Sequence, residues 1–198
     1  MTEERHESSM LLRAAREGSG EALGALMERY GQRLLVLIRA RLGRRLRREL
    51  ESRDVLQDTL LAAFRDLEQF EGSGSANFMG WMAGIAVNQI RYQARYYRRM
   101  ARDRSLRESW YSGFDPAARQ LHTQVSRIDL GRRTLRLEKA LDDLTAAHRE
   151  VILLRHYEEL GFREIGERMG CSEDAARMLL ARAMAKLTVQ MRAEPRET

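Results

Sequence analysis

Asp54 and Asp58 are the residues best suited by type and spacing to acid–base or metal chemistry, with Gln57 between them. Four residues apart on a helix, two carboxylates share one face. A metal-dependent nuclease would need a further ligand, but the histidines are scattered, no other carboxylate cluster has matching spacing, and there is no glycine-rich phosphate loop. The sequence therefore predicts no metal, no cofactor and no enzymatic activity. It favours an exposed acidic face that either docks another protein or only solubilises its helix.

A run of basic residues, RYQARYYRRMAR at 91–102, indicates contact with nucleic acid. Four of its five arginines form one stripe along a helix: Arg91, Arg95, Arg98 and Arg102. Arginines neutralise phosphates, and the interleaved tyrosines offer rings for stacking on unpaired bases: Tyr92, Tyr96 and Tyr97. A solvated charged face is the usual alternative, but such a face mixes signs, and no acid occurs between Glu71 and Asp103.

The stretch GFREIGERMGCSEDAARMLLARAMAKL, residues 161–187, has the pattern of two helices joined by a tight turn. Gly170 suits the turn, and Ser172 suits the N-cap of the second helix. One side of that helix is apolar and is expected to pack on Ile165 and Met169: Ala176, Leu179, Leu180, Ala183 and Leu187. The other side carries Asp174, Arg177, Met178, Ala181, Arg182 and Ala185. This pattern is typical of a helix-turn-helix that enters the major groove, with a plain helical hairpin as the open alternative.

The elements around these residues predict an all-α protein of two helical domains joined by a linker, with the helix-turn-helix in the C-terminal domain. In the N-terminal domain, 1–102, helices are expected at about 9–41 with a break at 18–20, at 52–70 with Ser52 as N-cap, and from residue 77 or 78 to about 102. A glycine and serine loop precedes the last of these helices. The linker, 103–133, is expected to contain one short helix after Pro116. The C-terminal domain, 134–198, resumes the helical pattern near Thr134, with Thr145 as a cap.

The composition favours a nucleic-acid partner. The chain has 198 residues, a net charge of +6 and 35 basic residues, all arginine except Lys139 and Lys186. Arginine suits bidentate contacts with phosphate and guanine, although GC-rich coding also favours arginine over lysine. The lone Cys171 excludes an intramolecular disulfide and a cysteine-based zinc site. The first ten residues contain no apolar signal region and no segment reaches the length of a membrane span, so a cytoplasmic location is expected.

Two blocks of residues resemble conserved regions of one bacterial family. The first is Asp54-Val55-x-Gln57-Asp58 with Phe64, then a glycine loop and Phe78-x-x-Trp81-x-x-x-Ile85-Ala86-Val87-Asn88. The second is Leu144-Thr145-x-x-x-Arg149-Glu150-Val151-Ile152-Leu153-Leu154-Arg155, then Glu164-Ile165-Gly166-x-x-Met169-Gly170-x-Ser172. In this order they resemble the second and fourth regions of extracytoplasmic-function (ECF) sigma factors of the sigma-70 family. The resemblance covers about residues 10–100 and 134–190.

The resemblance implies a factor that binds core RNA polymerase and directs it to promoter DNA, while the polymerase does the chemistry. The N-terminal domain would dock on the clamp helices of the largest subunit through Asp54, Val55, Gln57, Asp58 and Phe64. The C-terminal domain would touch the polymerase flap, and the linker would thread toward the active centre. Whether an anti-sigma factor is a further partner stays open.

The resemblance also assigns DNA contacts. In the melted minus-ten element, the loop at 71–77 would capture a flipped base through Ser73, Ser75 and Asn77, with a flexible turn as the alternative. The upstream edge of the melted region would be met by Trp81, Asn88, Arg91, Arg95 and Arg98. The duplex minus-thirty-five element would be met by Arg163, Ser172, Arg177, Met178, Ala181 and Arg182.

The sequence departs from the family pattern at several positions. Gly166 stands where the family usually has alanine, Met178 and Leu179 stand where polar or basic residues are common, and the basic segment RRLRRELESRD precedes the docking helix. These departures concern the promoter sequence, and the hairpin is expected to stay intact. A stand-alone helix-turn-helix regulator is the rival interpretation, but it leaves the block from Phe78 to Asn88 unexplained.

Overall fold

The computed structural model describes residues 2–47, 50–70, 75–100 and 131–193, and every regular element in these ranges is helical. The chain divides into two compact units, Met1–Asp129 and Leu130–Thr198. The predicted all-α class is confirmed. Within the described ranges no helix is both long enough and apolar enough to cross a membrane.

Within its described residues, the first unit contains four α-helices and one 3-10 turn. Their bounds are α1 Thr2–Arg16, α2 Gly20–Leu46, α3 Ser52–Arg65, the 3-10 turn Leu67–Gln69, and α4 Ser75–Met100. Gly18 adopts a left-handed φ of 91° between α1 and α2, and the Ser19 hydroxyl accepts a hydrogen bond of 3.2 Å from the Ala22 N–H. Gly43, with φ 64° and ψ 169°, kinks α2 near its end. Glycine tolerates both left-handed conformations.

The core of this unit lies where α2 packs against α1, α3 and α4. Its largest fully buried side chains are Leu26, Leu34, Leu35, Leu37, Ile38, Leu56, Leu60, Phe78, Met79 and Met82. A buried polar pair ties α1 to α2, because the Tyr30 hydroxyl lies 2.9 Å from the Ser8 hydroxyl. The hydrogen bond satisfies two hydroxyl groups that would otherwise be desolvated without a partner.

The structure corrects three local predictions in this unit. Ser52 is not the N-cap of α3: the cap is Glu51, whose carbonyl accepts from the Asp54 N–H at 3.1 Å, and the Ser52 side chain is buried. α3 ends at Arg65 and gives way to the 3-10 turn instead of continuing to Phe70. α4 begins at Ser75, so Ser75 and Asn77 lie in its first turn and not in a loop. Ser73, Arg102 and the predicted helix after Pro116 lie outside the described residues.

Between residues 131 and 193 the second unit contains four helices: α5 Arg132–Asp142, α6 Ala146–His156, α7 Phe162–Met169 and α8 Glu173–Ala193. The predicted cap Thr145 is confirmed, since its side chain accepts from the His148 N–H at 3.4 Å. The core gathers where α8 packs on α5, α6 and α7. Its fully buried members include Leu141, Val151, Leu153, Leu154, Ile165, Ala176 and Ala183.

Candidate nucleic-acid and protein interfaces

The acidic face of α3 is less exposed than the sequence predicts. Asp54 is exposed, but Asp58 is half-buried and accepts a hydrogen bond of 3.2 Å from the Gln93 side-chain amide of α4. Burial of its carboxyl group, and secondarily the charge of Asp54, raise the pKa of Asp58 above its ordinary value of 3.8. The Asp58 carboxylate therefore contributes to the packing of α3 against α4.

The other predicted docking residues also differ in exposure. Val55 is only 1% exposed, so its side chain supports the helix from the core side and does not reach the surface. Gln57 and Phe64 are half-buried. Among the described residues there is no group of three or more histidine, cysteine or carboxylate side chains placed to hold a metal ion. Of the two carboxylates on this face, that of Asp54 is the exposed one.

On α4 the described part of the arginine stripe points to solvent. Asn88, Arg91 and Arg95 are exposed, and Tyr92 is 56% exposed. Gln93 and Ala94, on the opposite side, are buried against the unit. The side chain of Arg98 lies outside the described residues. Arg91 and Arg95 thus present two cations and an intervening tyrosine on one accessible face, the combination that binds a phosphate backbone with unpaired bases.

Trp81 sits in an aromatic cluster at the start of α4. Its ring centroid is 5.1 Å from that of Phe70 and 5.7 Å from that of Phe78, and Phe78 meets Tyr30 edge to face at 5.4 Å. Trp81 itself is only half-buried. Its ring is therefore fixed on one side by packing and accessible on the other.

Arg16 of α1, a residue that sequence reasoning missed, contacts this aromatic cluster at Phe70. Its Nη2 donates to the Phe70 carbonyl, and its guanidinium carbon lies 5.6 Å from the centroid of the Phe70 ring. The two residues are 54 positions apart, so no local pattern could have joined them.

The helix-turn-helix has the predicted geometry. Gly170 is left-handed, with φ 68° and ψ 36°, and the Ser172 hydroxyl accepts from the Ala175 N–H at 3.1 Å. The predicted inward residues Ala176, Ala183 and Leu187 are buried, whereas Leu179 and Leu180 are half-buried. The outward set is exposed as expected: Asp174, Arg177, Met178, Ala181, Arg182 and Ala185.

Gly166 makes the tight turn between α7 and α8 possible. A Cβ on this residue would lie 2.6 Å from the Cys171 carbonyl oxygen, 3.2 Å from the Ser172 carbonyl carbon and 3.3 Å from the Glu173 nitrogen. All three atoms belong to the backbone, so none can move aside by changing a rotamer. The absence of a Cβ at Gly166 therefore lets the backbone of residues 171–173 pass close to α7.

The cations of the hairpin differ in how they are held. Arg163 is exposed and pairs with Glu167 at 3.2 Å. Arg177 pairs with Glu173 at 2.8 Å, and its guanidinium carbon lies 4.4 Å from the centroid of the Phe162 ring. Phe162 is a residue that sequence reasoning missed, because its place at the first position of α7 suggests only helix initiation.

Two family models match this chain in chain order. Residues 26–100 match the model described as Sigma-70 region 2, and residues 140–188 match Sigma-70, region 4. The chain is 28% identical over 186 residues to the RNA polymerase sigma factor NccH of Alcaligenes xylosoxydans xylosoxydans, covering 90% of this chain and 91% of that protein. It is also 28% identical over 172 residues to the RNA polymerase sigma factor CarQ of Myxococcus xanthus, covering 87% of this chain and 90% of that protein.

A similar solved structure is CnrH in complex with the cytosolic domain of CnrY. It is 24% identical in sequence, with a TM-score of 0.49, and the match covers 96% of this chain and 99% of CnrH.

Proposed function

The chain belongs to the extracytoplasmic-function branch of the sigma-70 family, and on that premise we propose how its two units divide the work of promoter recognition. Residues 1–102 dock on the clamp helices of core RNA polymerase and read the melted minus-ten element. Residues 134–198 bind the duplex minus-thirty-five element and touch the polymerase flap, and residues 103–133 link them. The protein is a transcription initiation factor, and the polymerase supplies the catalysis. Its site of action is the cytoplasm.

The observation that carries this proposal is the presence of both regions, in family order, in one chain. A stand-alone helix-turn-helix regulator would need only the second unit. It would leave the first unit, with its exposed arginine stripe and its acidic helix, without a role. An anti-sigma factor as a further partner stays a prediction.

For polymerase docking, Asp54 is the residue that makes the direct contact. Its carboxylate is exposed in the first turn of α3, whereas Asp58 is half-buried and Val55 is buried. Val55 and Asp58 therefore set the position of the helix, and the partly accessible Gln57 and Phe64 border the contact. A cationic partner surface is the complement that an exposed carboxylate selects.

For the melted minus-ten element, the surface of α4 provides the contacts. Arg91 and Arg95 meet phosphates, Asn88 offers a donor and an acceptor to a base edge, and Trp81 offers the free part of its ring for stacking. Arg98 continues the stripe by sequence. Ser75 and Asn77, in the first turn of α4, join Ser73 in capturing a base.

For the minus-thirty-five duplex, α8 is the recognition helix. Arg177 and Arg182 read a base or a phosphate, while Met178 and Ala181 between them offer apolar contact to a thymine methyl group. Ser172 uses its hydroxyl as the helix cap, so its contribution to DNA binding is to fix the start of α8. Arg163, which is exposed on α7, contacts a phosphate.

Docking is tested by Asp54→Arg, with Glu68→Arg as the matched control. Both residues are exposed acids of the first unit, and both changes alter the net charge equally. We expect Asp54→Arg to lower co-purification with core polymerase by more than about tenfold, because like charges brought together at an interface cost several kcal/mol. Glu68→Arg should retain the parental yield. Parental binding by Asp54→Arg would exclude this surface.

Run-off transcription on a randomised promoter library tests the function as a whole. The chain together with core polymerase should enrich templates that share two spaced elements, and core polymerase alone should not. Sequence-specific duplex binding by the chain without polymerase, and no transcript with it, would establish the rival regulator.

A further inference from the structure

Phe162 stands at the centre of a series of contacts that joins three elements of the second unit. The guanidinium of Arg155, at the end of α6, lies 4.9 Å from the centroid of its ring, and that of Arg177, on α8, lies 4.4 Å from it. Arg155 is itself fixed, because its Nη1 donates to the Leu160 carbonyl at 2.8 Å. The same guanidinium of Arg177 also donates from its Nη2 to the Glu173 carboxylate at 2.8 Å. The ring is half-buried at the start of α7.

These contacts restrict an arginine, one of the side chains with the most rotamers. A free arginine loses much conformational freedom when it binds a base, and this loss weakens binding. The Phe162 ring and the Glu173 carboxylate together restrict the guanidinium of Arg177. The bond to Glu173 uses the Nη2 group and leaves further N–H donors for a base edge. Arg182, on the same face, is exposed and lies in no ring contact among the described residues.

We propose that Phe162 is a positioning residue that holds Arg177 in the orientation in which it reads a base pair of the minus-thirty-five element. This inference rests on the proposed function of α8. It assigns the sharper base preference to Arg177, which is preorganised, and the more uniform phosphate contact to Arg182. Arg155, part of the second motif block, fixes the ring in turn.

The test compares Phe162→Leu, which removes the ring, with Phe162→Tyr, which retains it. Each full-length variant is assembled with core polymerase and selected on a promoter library randomised in the minus-thirty-five element. We expect Phe162→Leu to lower the preference at one base pair by about two- to fivefold, the range of an exposed cation–π contact of about 0.5–1 kcal/mol. Preference at the remaining positions should not change, and Phe162→Tyr should match the parent.

The variants Arg177→Ala and Arg182→Ala complete the design. Arg177→Ala should relax the same base pair that Phe162→Leu relaxes, and adding Phe162→Leu to it should have no further effect at that position. Arg182→Ala should weaken binding to all sequences alike and lower the salt dependence by about one unit. Arg155→Gln provides a second perturbation of the ring that leaves Phe162 in place, and should relax the same base pair.

The outcomes separate the inference from the function on which it rests. If Arg177→Ala changes base preference but neither Phe162→Leu nor Arg155→Gln does, the positioning role is refuted and the recognition helix stands. A uniform loss of preference at every position in Phe162→Leu would show a merely structural role and would also refute it. If Arg177→Ala and Arg182→Ala both leave preference and affinity unchanged, the assignment of α8 to the groove fails, and the role of Phe162 fails with it.

Discussion

Replacing Gly166 with alanine is expected to destabilise the second unit, although alanine is the better helix former. The gain in helix propensity is about 1 kcal/mol. Against it stands a Cβ placed 2.6 Å from the Cys171 carbonyl oxygen, with two more backbone atoms within 3.3 Å. Overpacking typically costs about 1–3 kcal/mol, and the upper part of this range applies because backbone must move. The net loss is therefore about 1–2 kcal/mol.

Gly84→Ala is the matched control. Gly84 is exposed within α4, and a Cβ there would meet no atom within 4 Å. This change should stabilise the first unit by about 0.5–1 kcal/mol, since only the backbone entropy term acts. The same substitution is thus expected to change the free energy of unfolding in opposite directions at two helical glycines, because the packing around them differs.

The assay must resolve the two units. Hydrogen exchange followed by mass spectrometry reports the opening of α7 and α8. Tryptophan fluorescence reports the first unit, because both tryptophans of the chain, Trp81 and Trp110, precede residue 130. A loss of 1–2 kcal/mol lowers the unfolding midpoint of a domain of this size by about 4–16 °C. Gly166→Ala with unchanged or slower exchange in α7 and α8 would refute the close approach.

Three further changes test other contacts of the structure. Asp58→Asn should raise the free energy of unfolding of the first unit at pH 7. The raised pKa means that the native state binds the proton of Asp58 more tightly than the unfolded chain does. The parental protein therefore loses stability as the pH rises from about 3.8 through that pKa. Urea unfolding between pH 4 and 8 should show a flatter profile for Asp58→Asn, and a parental profile would contradict the assignment. Glu159→Gly should raise the thermal unfolding midpoint of the second unit, since a φ of 59° strains a residue that has a Cβ by about 1–2 kcal/mol, an effect partly offset by the backbone entropy of glycine. Glu159→Ala, which keeps a Cβ, should give no such gain. Arg16→Ala should lower the free energy of unfolding of the first unit, followed by tryptophan fluorescence, by about 1–3 kcal/mol, from the loss of a charged hydrogen bond and a cation–π contact. Arg13→Ala on the same helix, whose side chain is 81% exposed, should have almost no effect, and equal losses in the two variants would contradict the role of Arg16.

The features that the sequence predicted well depend on residues close together in the chain. Gly170 turns the backbone and Ser172 caps α8 through contacts that span only a few positions. The apolar and exposed sides of α8 follow from helical periodicity, which needs no knowledge of the partner helix. The prediction of Ser52 as the N-cap of α3 was wrong because capping competes with burial. The Ser52 side chain packs into the unit, and Glu51 is the N-cap residue instead.

Periodicity and spacing by themselves determined the helical class and the face of its helix on which a charged side chain lies, because these depend on rotation about a single helix axis. Only the tertiary structure decided how deeply each face is buried and what meets it. Asp58 shares a face with Asp54, yet Asp58 is half-buried and bonded to Gln93, 35 positions further along the chain, whereas Asp54 is exposed. Phe162 and Arg177 lie on different helices, and their side chains meet only when α7 and α8 pack together. Contacts of this kind depend on the distance and angle between helices, which the summed packing of the whole core sets and no local pattern encodes.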